Sequence, residues 1–185
     1  MSSNNTTTPL KVSLSSITPN NIGTVRKLNS VLFPIKYSEK FYKDIQAPEV
    51  EDFCKLGVFF SVTSDTLRAE QLITKYLVYY NDIPVGTICC RQETVDGQNV
   101  LYLMTMGILA PYRSRKLGSQ TLSAILTAAA AHKPKVDKIY LHVQVSNEDA
   151  KRFYESHDFK EIRVHENYYK KITPADAWVL EKAFS

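Results

Sequence analysis

The chain is predicted to fold as an α/β domain of α+β character, a mixed central β-sheet flanked by helices, and three stretches carry that prediction. First, Asn81-Asp82 and Asp96-Gly97 punctuate runs rich in β-branched and aromatic residues, which marks three successive antiparallel strands. Second, Leu101 to Leu122 (LYLMTMGILAPYRSRKLGSQTL) opens as an apolar strand, breaks at Ala110-Pro111, crosses a basic loop and resumes as a helix. Third, Ile139 to Val145 alternates aliphatic residues with Tyr140, His142 and Gln144, as a strand with one polar face does. A helix between the last two strands makes a crossover joining parallel neighbours the natural connection. Antiparallel hairpins plus one crossover give a mixed sheet with helices on its faces.

In order, Leu10–Ile17 alternates apolar and polar residues and reads as a first strand. Thr18-Pro19-Asn20 starts a helix carrying Ile22, Val25, Leu28 and Leu32, which ends at Phe33-Pro34 because proline pushes the preceding residue out of helical geometry. Ser38 caps a short second helix with Phe41, Tyr42 and Ile45 on its apolar side. Strands are expected over Ile73–Tyr80, Ile83–Arg91 and from about Val100, and a helix from the basic loop to about Ala131. A strand over Lys138–Val145, a helix capped by Asn147, and strands over Phe159–Val164 and Ala177–Leu180 complete the domain. Residues 1–9 read as a polar disordered tail, 10–185 as one domain, and 47–71 as an insertion.

Composition narrows the function. The 185 residues carry a net charge of +4, with the charges mixed along the chain, so specific DNA binding is not expected. Attraction to a polyanionic small molecule or to ribosomal RNA remains open. The three cysteines are Cys54, Cys89 and Cys90; an odd count with an adjacent pair argues against a disulfide framework and for a reducing, cytoplasmic or nuclear setting. Adjacent strand residues face opposite sides, so Cys89 and Cys90 are expected to be separate packing thiols, and no metal is expected. No apolar run reaches the roughly 20 residues of a membrane span.

The loop Tyr112 to Gly118 places three cations and a glycine where a helix begins. Helix N-termini offer unpaired amides and a positive dipole end, so the pattern suits a phosphate; it also describes an ordinary exposed turn. Tyr102 and His142 fall on the two strands joined by the crossover, near that helix start. A strand histidine is often structural, but a near-neutral pKa would make His142 a natural general base. Serine-histidine triads, Walker loops and metal-ligand spacings are absent.

The strand-loop-helix run, followed by Ser146-Asn147-Glu148-Asp149-Ala150 and Arg152-Phe153-Tyr154, resembles the acetyl-CoA fold of the GNAT superfamily. Phe33-Pro34-Ile35-Lys36-Tyr37, Phe41-Tyr42-Lys43-Asp44, Leu109-Ala110-Pro111-Tyr112-Arg113, Tyr140-Leu141-His142-Val143-Gln144 and Asn167-Tyr168-Tyr169 narrow the resemblance to N-terminal acetyltransferases of the NatE type. It covers nearly all of the chain outside the tail and the insertion.

The resemblance implies acetyl transfer from acetyl-CoA to the free α-amine of protein N-termini, nascent or released, with methionine followed by a hydrophobic or other non-small residue preferred. It implies that Tyr102 and His142 act as general bases through a water. It assigns Met106, Gly107, Ile108 and Leu109, then Arg113, Ser114, Arg115, Lys116, Leu117, Gly118 and Ser119, to the cofactor's strand end and pyrophosphate loop. Asn147, Ala150, Phe153 and Tyr154 would line the pantetheine arm, Asn147 bonding its amide and Tyr154 protonating the leaving thiolate. Phe33, Pro34 and Ile35 would wall the pocket for the first side chain, and Tyr37, Met104, Tyr168, Tyr169 and Ile172 would contact the peptide. Partners implied are the NatA complex and the ribosome.

Two departures stand out. Lys116 occupies the first glycine position of the family loop; if that position needs φ > 0, a lysine there costs on the order of 1–2 kcal/mol. His157-Asp158-Phe159 replaces the usual Phe-Gly-Phe, which is expected to loosen the turn after the last helix. Lys116 therefore motivates a second reading, a non-catalytic subunit. A lysine or small-amine acetyltransferase is a third, disfavoured by the tyrosine pair that the resemblance sets over an α-amine.

Overall fold

The computed structural model describes residues 12–46 and 73–184; the expected tail, Leu10–Lys11, the whole of the expected insertion 47–71 with Cys54, and Ser185 lie outside them. The elements are β1 (Val12–Ser16), α1 (Ile22–Leu32), α2 (Glu39–Asp44), β2 (Ile73–Tyr80), β3 (Ile83–Val95), β4 (Gln98–Ile108), α3 (Leu117–Ala131), β5 (Lys138–Gln144), α4 (Glu148–Glu155), β6 (Lys160–His165) and β7 (Ala177–Ala183). A 3-10 turn, Ala110–Tyr112, leads into the basic loop. The seven strands form one sheet in the order β1-β2-β3-β4-β5-β7-β6. Only β4 and β5 run parallel, as the crossover through α3 requires.

Local chemistry explains the boundaries. Asn81 and Asp82 have φ of 48° and 63°, and Asp96 and Gly97 have 50° and 76°, so both tight hairpins use the left-handed pair that matches strand twist. β3 runs beyond Arg91 to Val95 because the ladder continues to the Asp96-Gly97 turn, pairing Gln92–Val95 with Gln98–Leu101. Asn21 fastens the entry to α1, its Nδ2 donating to the Ser16 carbonyl and its Oδ1 accepting from the Thr18 amide, both at 2.8 Å. α1 stops at Phe33, which is extended before Pro34. The Ser38 hydroxyl accepts from the Phe41 amide and caps α2.

The sheet separates two apolar layers. On one face Ile88, Cys90, Leu101, Leu103, Ile139, Leu141 and Leu180 pack with Leu122 and Ile125 of α3 and Tyr154 of α4. On the other, Leu77 and Cys89 meet Val25 and Leu28 of α1 and Tyr42 and Ile45 at α2. Cys89 and Cys90 are thus free thiols in separate cores, and burial pushes Cys89 up to about 11 and Cys90 well above the ordinary thiol range. Among the described residues, no helix is long and apolar enough to cross a membrane, and no three His, Cys, Asp or Glu side chains gather to hold a metal.

The turn after α4 is tied rather than loosened. Asp158 takes φ +66°; its amide donates to the Glu155 carbonyl at 3.0 Å, and the Phe159 amide to the Tyr154 carbonyl at 3.2 Å. This is the double bond of a Schellman turn. The Asp158 carboxylate also pairs with the Lys182 ammonium of β7 at 2.9 Å.

The feature that positions the site is the short contact between the parallel strands. β4 pairs with β5 only through Val100–Tyr102 and Lys138–Tyr140, although both strands continue. Past that point β4 carries a bulge, since Cys89 and Cys90 of β3 face Thr105 and Leu103, leaving Met104 as the extra residue. Farther along, β3 and β4 approach closely at Gly86, where an added Cβ would collide with the Gly107 carbonyl. Gly86→Ala is expected to cost about 1–3 kcal/mol and lower Tm by several degrees, whereas Gly23→Ala, with open space around it, leaves Tm unchanged or raised; thermal unfolding of both variants checks this.

Candidate active site

Where β4 and β5 part, a cleft of about 1250 Å³ opens, running from the N-terminus of α3 to the segment after β6. Its middle is an aromatic cluster. Tyr102 and Tyr140, opposite each other in register, stack at 4.8 Å between ring centroids. Tyr102 meets the His142 ring edge-on at 5.7 Å, and its hydroxyl hydrogen-bonds that of Tyr168 at 2.6 Å. Tyr168 lies flat on His142, with centroids 3.9 Å apart and planes 5° from parallel. Tyr168 is therefore the joint between the two strand residues.

Burial and neighbours set the protonation states. Burial, then the adjacent Tyr168, push Tyr102 far above the ordinary phenol range, so it stays a neutral hydroxyl. Burial, followed by His165 and the Arg163 charge, lowers His142 to about 4 against the opposing Glu93 carboxylate. The near-neutral value expected of His142 is corrected accordingly: the site holds a neutral imidazole at physiological pH. Behind the cluster, the Tyr140 hydroxyl donates to Glu93 Oε2 at 2.7 Å, and the Arg91 guanidinium pairs with the same carboxylate and lies 5.8 Å over the Tyr102 ring. Tyr140 follows from its position two residues before His142 on one strand face. Glu93, Arg91 and His165 do not, because their approach depends on strand register.

One end of the cleft is built from the basic loop. Ser114 and Lys116 both have φ of +60°, so the position where the family carries glycine is left-handed and the cost expected for Lys116 is incurred. Lys116 is the N-cap of α3 and makes no side-chain capping bond, which leaves the first amides of a 15-residue helix for another acceptor. Gly118 lies against the cleft wall, where an added Cβ would make ordinary contacts, 3.5 Å from the Phe153 ring and 3.7 Å from Met106 Cε, so packing there does not demand a glycine. Arg113 anchors the loop by donating from Nε to the Ile108 carbonyl at 2.9 Å. Asn147 Oδ1 accepts from the Ala150 amide at 3.2 Å, so its Nδ2 is the group left to face a ligand. The buried Tyr154, held protonated by its burial, completes this wall with Ala150 and Phe153. Uncapped amides, two cations at a helix start and a narrow apolar trough fit a phosphate-bearing pantetheine chain.

At the other end, Phe33, Pro34, Ile35 and Tyr37 face Met104, Tyr168, Tyr169 and Ile172. Phe33 rests on β4 beside Gly107, where an added Cβ would fall 3.1 Å from the ring and press it outward by a few tenths of an ångström. Tyr37 stacks on Phe41 at 4.5 Å and meets Phe33 edge-on at 5.8 Å. Tyr169 is pushed up to about 12 by burial and by Tyr168. Its segment is pinned by the Tyr169 amide on the Ala175 carbonyl at 2.7 Å and by Gln144 Nε2 on the Pro174 carbonyl at 2.8 Å.

Every expected site residue lines this cleft except two. Arg115 turns away, its guanidinium donating to the Tyr80 hydroxyl at 3.3 Å and lying 5.5 Å over that ring. Leu109 packs into the layer under α1, and its amide donates to the Val85 carbonyl at 2.8 Å, extending the β3–β4 ladder.

Comparison with known proteins agrees with this architecture. Residues 32–159 match the acetyltransferase (GNAT) family. The chain is 40% identical over 173 residues to the N-alpha-acetyltransferase 50 of Danio rerio, covering 94% of this chain and 89% of the relative. It is 39% identical over 171 residues to the probable N-acetyltransferase san of Drosophila melanogaster, covering 92% and 80%. The structure of Arabidopsis thaliana Naa50 in complex with the bisubstrate analogue CoA-Ac-MVNAL superposes with a TM-score of 0.71 at 37% identity, covering 94% of this chain and 99% of that one. The chain belongs to the GNAT acetyltransferase family, in the branch of N-terminal acetyltransferases that includes N-alpha-acetyltransferase 50.

Two outcomes follow from the geometry. The unfolded chain takes up a proton at His142 near the ordinary histidine value of roughly 6.5, while the folded chain resists until about 4, so this group's contribution to stability declines as pH falls through that window. An NMR titration of His142 should show its midpoint near 4. Separately, Lys116→Gly is expected to relieve about 1 kcal/mol of left-handed strain and raise Tm by a few degrees in thermal unfolding.

Proposed function

We propose that the protein transfers the acetyl group of acetyl-CoA to the free α-amine of protein N-termini that begin with methionine followed by a hydrophobic or other non-small residue. The observation that carries this reading is a two-ended cleft, with a phosphate-compatible helix start at one end, an apolar and aromatic pocket at the other, and Tyr102, His142 and Tyr168 between them. The Arabidopsis relative's analogue, with MVNAL as its peptide portion, is consistent with such a terminus.

Acetyl-CoA would supply the activated thioester; the α3 amides with Lys116 and Arg113 would hold its phosphates, and Asn147 Nδ2 its amide arm. Phe33, Pro34 and Ile35 give a methionine side chain an apolar wall, and Tyr37 and Tyr169, both kept neutral by burial, offer hydroxyls to the peptide backbone. An α-amine titrates at roughly 7.7–8.0, so about a tenth of it is already neutral at pH 7. His142 accepts a proton, directly or through water, and Tyr102 orients that partner as a neutral hydrogen-bonding hydroxyl rather than as a phenolate. Because His142 is a weak acceptor, most of the rate gain assigned to this site comes from orientation. Tyr154, protonated and buried beside the trough, has the right state to give its proton to a thiolate.

The non-catalytic alternative rests on Lys116, whose left-handed conformation is incurred without opening the loop. Incubation with acetyl-CoA and a Met-Leu peptide separates the two. The expected outcome is turnover, with His142→Ala and Tyr102→Phe each lowering kcat about 100-fold and leaving acetyl-CoA affinity nearly unchanged. Absence of acetyl-CoA binding, restored by Lys116→Gly, would overturn the active reading; a parallel loss of affinity in the two variants would make Tyr102 and His142 structural.

A further inference from the structure

Arg91 of β3, Tyr102 of β4 and Tyr140 of β5 form one row across three strands, Arg91 opposite Tyr102 and Tyr102 opposite Tyr140. The Tyr102–Tyr140 pair is also the last before the two parallel strands part. No ladder holds β4 to β5 beyond it, so the Tyr102 ring takes its place from the side chains on either side. Tyr140 stacks on it at 4.8 Å with planes 21° apart, and the Arg91 guanidinium lies 5.8 Å over it, within cation–π range.

Glu93 closes this row. It follows Arg91 by two residues on β3, so both side chains stand on one face. Its Oε1 accepts from Arg91 Nε at 2.9 Å and from Nη2, and its Oε2 accepts from the Tyr140 hydroxyl at 2.7 Å. One carboxylate thus joins β3 to β5, which are not neighbours in the sheet, across the strand that carries Tyr102. Burial works against its charge, but the bonds from Tyr140 and Arg91 outweigh it and hold the carboxyl below its ordinary range. Burial, then the bond to Glu93, raise Tyr140 above the ordinary phenol range, so the phenol keeps its proton and is the donor.

Stability gives little reason for this arrangement. The Glu93 and Arg91 side chains are 22% and 49% exposed, and an ion pair so open to water contributes little to folding. Nor do Arg91, Glu93 or Tyr140 line the cleft, so none of them acts on a substrate directly. What they control is the ring between them. The Tyr102 hydroxyl is at the far end of that ring, 2.6 Å from the Tyr168 hydroxyl, where a small tilt is felt most. Misplacing a group at a reacting centre by about 1 Å costs on the order of 100-fold in rate. We propose that Glu93 is a positioning residue: by accepting from Arg91 and Tyr140 together, it fixes both groups that flank the Tyr102 ring and so holds the Tyr102 hydroxyl in its working place. This rests on the reading of Tyr102 as a hydroxyl that orients the reacting groups.

The test follows acetylation of a Met-Leu peptide by the full chain. Glu93→Ala should lower kcat about tenfold, and Tyr140→Phe, which keeps the stacked ring, several-fold, both with the KM for acetyl-CoA nearly unchanged. Glu93→Gln keeps the bonds without the charge: its amide oxygen accepts from Arg91, and its NH2 donates to the Tyr140 oxygen once that hydroxyl turns. Its kcat should stay within about threefold of the unaltered chain. In a Tyr102→Phe background, Glu93→Ala should cost no further kcat, since its effect passes through the hydroxyl already removed. A purely structural Glu93 would lower Tm and leave the kcat of Glu93→Ala, measured well below the unfolding transition, unchanged; that result overturns the proposal. So does a Glu93→Gln as impaired as Glu93→Ala, which would mean that the charge acts and not the bonds, or a full further loss in the Tyr102→Phe background. If Glu93→Ala does not fold, an unchanged kcat in Tyr140→Phe overturns it. No turnover by the unaltered chain defeats the proposed function, and full activity of Tyr102→Phe defeats the reading of Tyr102 itself. An impaired Tyr102→Phe beside normal Glu93→Ala and Tyr140→Phe defeats only the role of Glu93.

Discussion

The site depends on one constraint, the limit of the β4–β5 contact to three residue pairs. Each strand is held on its outer side along its length, β4 by β3 up to Ile108 and β5 by β7 through Gln144. The gap therefore cannot close by sliding either strand inward without breaking a full ladder. It exposes the inner edges of two central strands, where unpaired backbone would ordinarily be a liability. The parallel arrangement has a second effect, since the crossover must return through α3 and so brings a helix N-terminus to the same opening. A helix N-terminus and strand-borne side chains meet because one topology generates both.

Two left-handed residues show how the surroundings carry local strain. Asp158 sits in a Schellman turn closed by two backbone bonds and an ion pair to β7, so a residue other than glycine is held there by the neighbouring strand. Lys116 has no such tether on its side chain, and its loop is fixed instead by Arg113 on the strand end and by α3 itself. The same backbone requirement is thus met with different compensations. At Asp158 the side chain supplies the restraint, and at Lys116 the side chain faces the cleft while its neighbours hold the turn.

Much of this was legible in the residues. Turn dipeptides at 81–82 and 96–97, the break at Phe33-Pro34 and the alternation through Tyr140–Gln144 each follow from local conformational preference, and the strands and helices fell where those preferences put them. The separate burial of Cys89 and Cys90 followed from pleat alone. Local pattern is silent on register, which brings Glu93 under Tyr140 and His165 against His142. It is silent also on desolvation, which took His142 well below the value of a free imidazole. Arg115 looked interchangeable with its basic neighbours, and only the packing of Tyr80 beside the loop draws it away.

The Tyr102–Tyr168 hydrogen bond joins residues 66 positions apart, and Tyr168 belongs to the loop that precedes the last strand. The helix start at 117, by contrast, is complete once β4 and α3 have formed. A chain stopped before β6 would possess that helix start while lacking Tyr168, Tyr169 and His165. The cluster of Tyr102, His142 and Tyr168 is thus assembled only when the segment between β6 and β7 is in place, later along the chain than the helix start.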